Sequence, residues 1–209
     1  MTGRLALVTL DLDGTLLPND MAFAAILRGT GHAELAAEAA RKFADGTWSL
    51  PEAYAAQWRV VQTLGLQEMH RALRKAAWLP GIADGVRRLQ EAGLRVVLLT
   101  DVASTVTDFL GRWGLVDAIC SPVTVKDGRQ LAIDQRLDKL ANLNARLAEW
   151  NIPLAKVCHV GNGPNDIPVF RAVGASLAVF PQPEVAEAAS AVVPAPRDFA
   201  DVVDAVLAR

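Results

Sequence analysis

The sequence predicts an α/β fold, a doubly wound parallel sheet with a small helical segment inserted after its first strand, and three observations carry that expectation. Short aliphatic runs of strand length, Leu5 to Leu10 and Leu94 to Thr100, lack polar alternation, as strands buried on both faces do. From Ile82 onward such runs alternate with helical stretches that close on glycine, at Gly93, Gly114 and Gly174. Between Met21 and Ala77 the chain is Ala-rich, helical in period and free of any strand-like run.

The first strand, Leu5 to Leu10, runs straight into Asp11-Leu12-Asp13-Gly14-Thr15. In extended backbone, residues two apart project to the same side, so Asp11 and Asp13 face one site while Leu12 turns into the core. Two unit charges ~4 Å apart repel by roughly 4 kcal/mol at an effective dielectric near 20, and a cation relieves that. Gly14 permits a tight turn beneath the pair, and Thr15 offers a hydroxyl and an amide to a ligand. Pro18 then breaks the chain, and the composition changes.

Three or so helices follow. Ala22 to Arg28 ends at Gly29, Ala33 to Ala44 ends at Asp45-Gly46, and a longer one begins at Ser49. Ser49-Leu50-Pro51-Glu52 has the form of a capping box with proline in the first turn. Gly65 interrupts this helix, and Gln67 to Ala76 continues it. Leu79-Pro80-Gly81 makes a sharp turn into helix Ile82 to Ala92 and strand Leu94 to Thr100. Helix Thr105 to Trp113, strand Ala118 to Ser121 and a hairpin around Lys126-Asp127-Gly128-Arg129 come next. Helix Leu137 to Trp150, strand Lys156 to Val160, helix Ile167 to Val173, strand Leu177 to Phe180 and a last helix capped by Asp198 complete five sheet strands. The expected division is a core of residues 1–17 and 79–209 around a helical segment of residues 18–78.

At 209 residues, the chain can bury a sizeable core. Its hydrophobic content is 52%, yet no run approaches the ~18 apolar residues of a membrane span. Asp11 and Asp13 interrupt any leader-like pattern at the amino terminus, so a cytoplasmic protein is expected. Cys120 and Cys158 sit beside apolar strand residues and read as reduced packing residues. A net charge of −2 without a Lys/Arg cluster argues against nucleic acid as a partner, and the lack of a span argues against a membrane. His32, His70 and His159 show no metal-ligand spacing and read as surface or packing residues. The oligomeric state is left open.

In such sheets ligands bind beyond the carboxyl ends of the strands, and polar residues collect there: Asp11 and Asp13, then Thr100 and Asp101, then Gly161-Asn162-Gly163-Pro164-Asn165-Asp166, with Lys139 at the start of a nearby helix. This collection resembles the haloacid dehalogenase superfamily of phosphohydrolases, with DLDGT, the threonine of LLT, Lys139 and GNGPND as its four motifs in order. The resemblance implies a Rossmann-like core with a helical cap, and a Mg²⁺-dependent phosphatase working through an aspartyl-phosphate. Asp11 would attack phosphorus, and Asp13 would protonate the leaving oxygen and later activate water, a protonation favoured by the neighbouring negative charge. Thr100, Lys139 and the amides near Gly14 and Thr15 would hold phosphoryl oxygens. Asp11, Asp13, Asn162 and Asp166 would serve the metal, a hard cation suited to oxygen ligands.

One position departs from the family pattern. Asn162 stands where close relatives carry a metal-ligand aspartate, which removes one negative charge and shifts the expected metal requirement to millimolar Mg²⁺. The alternative is a non-catalytic or weakly active descendant that binds a phosphorylated ligand or partner. The early helical insertion is similar to the cap of the phosphoserine phosphatase-like branch. There an acidic residue after the first motif reads the substrate ammonium and a cap arginine reads its carboxylate. Asp20 holds the acidic position, one methylene short of the usual glutamate; the arginine position falls on Ala56, with Arg59 one turn away. Thr100-Asp101-Val102 replaces the branch's Ser-Gly-Gly. A small phosphorylated metabolite is the expected partner, with Asp20, Asp101 and Arg59 as candidate contacts.

Overall fold

The computed structural model describes residues 4–127 and 129–209. Strand β1 (Leu7–Leu10) leads into four helices, α1 (Ala22–Gly29), α2 (Ala33–Ala44), α3 (Leu50–Val61) and α4 (Leu66–Leu73). The α/β alternation then begins with α5 (Ile82–Glu91), β2 (Arg95–Ala103), α6 (Ser104–Leu110) and β3 (Ala118–Ser121). A hairpin of β4 (Val123–Lys126) and β5 (Arg129–Ile133) precedes α7 (Lys139–Trp150), β6 (Val157–Gly161) and α8 (Ile167–Ala172). The chain ends with β7 (Ala175–Val179), α9 (Pro183–Ala188), β8 (Ala191–Val193) and α10 (Phe199–Leu207).

The six sheet strands are all parallel, in the order β3-β2-β1-β6-β7-β8. The strand order reverses at β1, which pairs with β2 on one side and β6 on the other, so the crevice of a doubly wound sheet opens above β1. Alternate strand residues feed cores on opposite faces. Val8, Leu10, Val96, Leu98 and Val160 pack with the inserted helices, α5 and α10 on one side. Leu7, Val97, Leu99 and Val157 pack with Leu143 and Leu147 of α7 on the other. Leu143 and Leu147 are one turn apart and set the face that α7 buries. Asp138 caps that helix by accepting from the Ala141 N–H at 2.9 Å, so Lys139 begins the helix at the carboxyl end of the sheet.

The expected elements form, with four differences. The sheet gains a sixth strand, β8, preceded by the short helix α9; a three-residue edge strand between Ser190 and Pro194 is too brief to carry a periodic signal. Strand β2 runs on to Ala103, which pairs with Ser121 after a register shift, so Thr100 and Asp101 lie within its last turn of sheet rather than beyond it. Helix α4 stops at Leu73 instead of Ala76: the Lys75 and Ala76 N–H groups bond only three residues back, to the carbonyls of Ala72 and Leu73, and the Trp78 indole also donates to the Leu73 carbonyl at 2.7 Å. The turn after α6 tightens into a 3₁₀ turn, Gly111–Trp113. Gly128 of the expected hairpin turn lies outside the described residues, while β4 and β5 pair antiparallel as expected. Among the described residues, no helix is long and apolar enough to cross a membrane.

Candidate active site

The carboxyl ends of β1 and β6 are level, since Leu10 pairs with Val160 and the Asp11 N–H donates to the Val160 carbonyl at 2.8 Å. Asp11 therefore leaves the sheet beside the loop that follows β6. The residue is 3% exposed, and Lys139 Nζ donates to Asp11 Oδ1 at 2.7 Å and to Asp166 Oδ1 at 2.6 Å. Lys139 is itself 3% exposed, so one buried ammonium is shared by two buried carboxylates. Burial alone would lower the lysine, but Asp11, Asp166 and Asp101 outweigh it and raise its pKa. Burial likewise raises Asp11, with Lys139 opposing and Asp166 adding to the rise.

Asp166 has every oxygen occupied. Oδ1 also faces His159 Nε2 at 3.0 Å, and Oδ2 accepts from the N–H groups of Asn162 and Gly163, each at 2.9 Å. Burial would raise this carboxyl, but Lys139 and His159 pull it below the usual range. Its position fixes the turn that presents Asn162. Gly161 is needed for that packing, because a Cβ there would sit 2.4 Å from the Asp166 carboxyl carbon.

Thr15 Oγ1 lies 3.3 Å from Asp11 Oδ2 and 3.4 Å from Asn162 Oδ1, so the two oxygens converge on one buried hydroxyl. Gly14 lets Asn162 come this close: its φ is +77°, and a Cβ would meet Asn162 Nδ2 at 2.0 Å. Its own N–H is bonded to the carbonyls of Leu17 and Asp20, which closes the loop. Gly14→Ala is expected to cost about 1–3 kcal/mol from the left-handed backbone alone and to push Asn162 from Thr15. Thermal unfolding measures the cost, and an unchanged midpoint would show that the loop relaxes freely.

Asp13 faces the inserted helices. Its Oδ1 accepts from the Ala22 N–H at 2.7 Å and its Oδ2 from the Tyr54 hydroxyl at 2.8 Å. Its carboxyl is pushed up to about 6, first by burial, with the Ala22 and Tyr54 hydrogen bonds and then the Lys139 charge pulling down. A neighbouring negative charge is a minor contributor, so the expected cause of a protonated Asp13 is replaced by burial.

Thr100 is buried on the adjacent strand, its Oγ1 accepting from the Val102 N–H at 3.3 Å and its proton still available. Asp101 Oδ2 accepts from Asn165 Nδ2 at 2.8 Å, while Asp101 Oδ1 is buried with no hydrogen-bond partner among the described residues. Burial raises this carboxyl too. Asp20 points elsewhere: it is ion-paired to Arg28 and accepts from the Met21 N–H at 2.8 Å. Arg59 lines a separate cleft of about 430 Å³ with Phe23, Trp48, Glu52 and Trp58. The structure thus brings Asp11, Thr15, Lys139, Asn162 and Asp166 into direct contact, sets Asp13, Thr100 and Asp101 around them, and leaves Asp20 and Arg59 in other contacts.

Two residues in this network gave little warning in the sequence. His159 is not a surface or idle packing residue: it is fully buried, bonded to Thr9 at 2.9 Å on one side and Asp166 on the other. Thr9 and His159 are register partners on β1 and β6, and each is a lone polar residue in an apolar run, a signal that two buried groups need one another. Tyr54 carries no such signal.

A parallel sheet with an acidic pair at the switch point, a buried lysine and a Gly-Asn loop defines the class to which this protein belongs. The haloacid dehalogenase-like hydrolase family model matches residues 8–171, and the chain is a member of that family. Among its relatives is the phosphoserine phosphatase of Streptomyces coelicolor, 27% identical over 94% of this chain; the chain spans about half, 49%, of that protein's length. The phosphoserine phosphatase of Methanocaldococcus jannaschii is 23% identical, with 90% of this chain matched to 92% of that one. A substrate-bound phosphoserine phosphatase structure shares the fold with a TM-score of 0.79 at 19% identity, covering 97% of this chain and 99% of that one.

Proposed function

We propose that the protein is a phosphatase that hydrolyses a small phosphomonoester through an aspartyl-phosphate, with Mg²⁺ as its cation. The observation that carries this reading is the grip of Lys139 on Asp11 beside a polar loop at the sheet's switch point. A buried ammonium there can hold both the attacking carboxylate and an anionic phosphoryl oxygen.

The donor set suits a hard divalent cation. Four carboxylates, Asp11, Asp13, Asp101 and Asp166, surround one lysine, an excess of negative charge in a buried space. Among the described residues, no three His, Cys, Asp or Glu side chains form a metal cluster. That follows from Asn162 and from the full occupancy of Asp166 by protein donors. Asp11 and the carboxamide oxygen of Asn162 are then the side-chain oxygens that would hold Mg²⁺, with Asp166 behind them and water in the remaining positions. The ion would neutralise charge on the phosphoryl group as the carboxylate approaches.

In the first step an Asp11 oxygen bonds to phosphorus as the ester P–O bond breaks, and Asp13 gives its proton to the departing oxygen. In the second, Asp13 takes a proton from a water whose oxygen bonds to phosphorus, and the Asp11–phosphorus bond breaks. Thr100, buried on β2, would donate its hydroxyl to a phosphoryl oxygen. Residues 18–78 act as a cap, since α1 and α3 supply the groups that hold Asp13.

Phosphoserine is one candidate substrate, but Asp20 is already neutralised by Arg28, so it is not free to read an ammonium group. Phosphate release from p-nitrophenyl phosphate and from a panel of small phosphomonoesters including phosphoserine, at millimolar Mg²⁺ and in chelator, tests the reading. No turnover across the panel would overturn it. Asn162→Asp returns one ligand charge and is expected to lower the Mg²⁺ concentration for half-maximal turnover by about tenfold. An unchanged Mg²⁺ dependence would remove Asn162 from the metal's surroundings.

A further inference from the structure

We infer that Tyr54 is a positioning residue that fixes the Asp13 carboxylate from the inserted helices, a role that rests on the phosphatase reading. Both Asp13 oxygens are held, and both donors come from the insertion: the Ala22 N–H at the start of α1 at 2.7 Å and the Tyr54 hydroxyl on α3 at 2.8 Å. Two hydrogen bonds to opposite oxygens fix the plane of a carboxyl group as well as its rotamer.

The phenol itself is held by packing. Its ring is 5% exposed and meets Phe23 edge-on, with centroids 5.5 Å apart at 69°, and Phe23 in turn packs on Trp58 at 5.9 Å. Phenylalanine would fill the same space, so packing does not explain the hydroxyl; its hydrogen bond goes to Asp13. Burial, followed by the nearby Asp13 charge, raises the phenol's pKa, so it stays a donor throughout. Tyr54 neither gains nor loses a proton in either step. It keeps one Asp13 oxygen aimed at the reacting centre, first toward the departing ester oxygen and then toward the attacking water.

This role is read from leaving-group dependence. In Tyr54→Phe, kcat/KM for an alkyl phosphomonoester, whose leaving oxygen needs a proton, is expected to fall about tenfold. With p-nitrophenyl phosphate, whose leaving group departs as a stable anion, kcat/KM should change by less than about twofold. Equal effects on the two esters, or none, would overturn the inference. An intact protein that turns over neither ester removes the phosphatase reading, and the positioning role with it.

Tyr54 is the only tyrosine in the chain, which gives a second test that needs neither turnover nor a substitution at Tyr54 itself. In protein carrying 3-fluorotyrosine, one ¹⁹F resonance reports this site. Introducing Asp13→Asn is expected to move that resonance, and a resonance that stays in place would show that the phenol does not hold Asp13.

Discussion

Asp11→Asn is expected to abolish phosphatase turnover, by about 10⁴-fold or more, the scale on which loss of a covalent nucleophile is felt. The substitution keeps the side chain's shape and still offers Lys139 an acceptor, so the fold should survive it. Removing one of two carboxylates that share Lys139 also removes their mutual repulsion. The expected pair of results is therefore a thermal midpoint close to that of the parent and no phosphate release from p-nitrophenyl phosphate. Beryllofluoride should bind the parent and not the variant, because only the carboxylate can mimic the phospho-aspartate. A variant retaining more than a tenth of the parent's turnover would exclude Asp11 as the nucleophile.

Lys139→Met should have the largest effect on stability. The lysine and both its partners, Asp11 and Asp166, are almost wholly buried, so removing the ammonium leaves two carboxylates without a counter-charge. Breaking a buried pair in this way costs about 3–5 kcal/mol. In a chain of this size, that corresponds to a thermal midpoint lower by roughly 6–20 °C. Turnover should be lost as well, since the same ammonium holds the attacking carboxylate. The distinguishing variant is Lys139→Met combined with Asp166→Asn, which removes one of the two uncompensated charges and should recover part of the stability but none of the activity. A Lys139→Met protein as stable as the parent would show that Asp11 and Asp166 are neutralised by other means.

Much of the architecture was legible because its signals are local. The apolar run before Asp11 is a buried strand, the Ala-rich stretch after Pro18 is helical, and Asp198 caps the last helix, accepting from the Ala200 N–H at 2.8 Å. The Ser49–Glu52 capping box forms, with the Ser49 N–H donating to Glu52 at 2.7 Å. Strand β8 is not legible in the sequence because an edge strand of three residues has too few positions to show a period. The end of α4 is not legible because the chain tightens to three-residue bonds after Leu73, where a tryptophan five residues on also donates to the Leu73 carbonyl.

The candidate site divides in the same way. Asp11, Asp13, Gly14, Thr15, Lys139, Asn162 and Asp166 could be named from the sequence because strand ends, turn glycines and motif order mark them, and residues two apart in extended backbone must share a side. The chain could also fix that Asn162 brings no charge. Only the tertiary structure decided how those charges are apportioned. It gave Lys139 to both Asp11 and Asp166, spent all of Asp166 on Lys139, His159 and two amides, turned Asp20 toward Arg28, and brought Tyr54 down onto Asp13. The reason is the range of the forces: propensity, capping and pleat alternation act over a few residues. Hydrogen bonding and desolvation among buried groups depend on which distant segments the packed core brings within 3 Å.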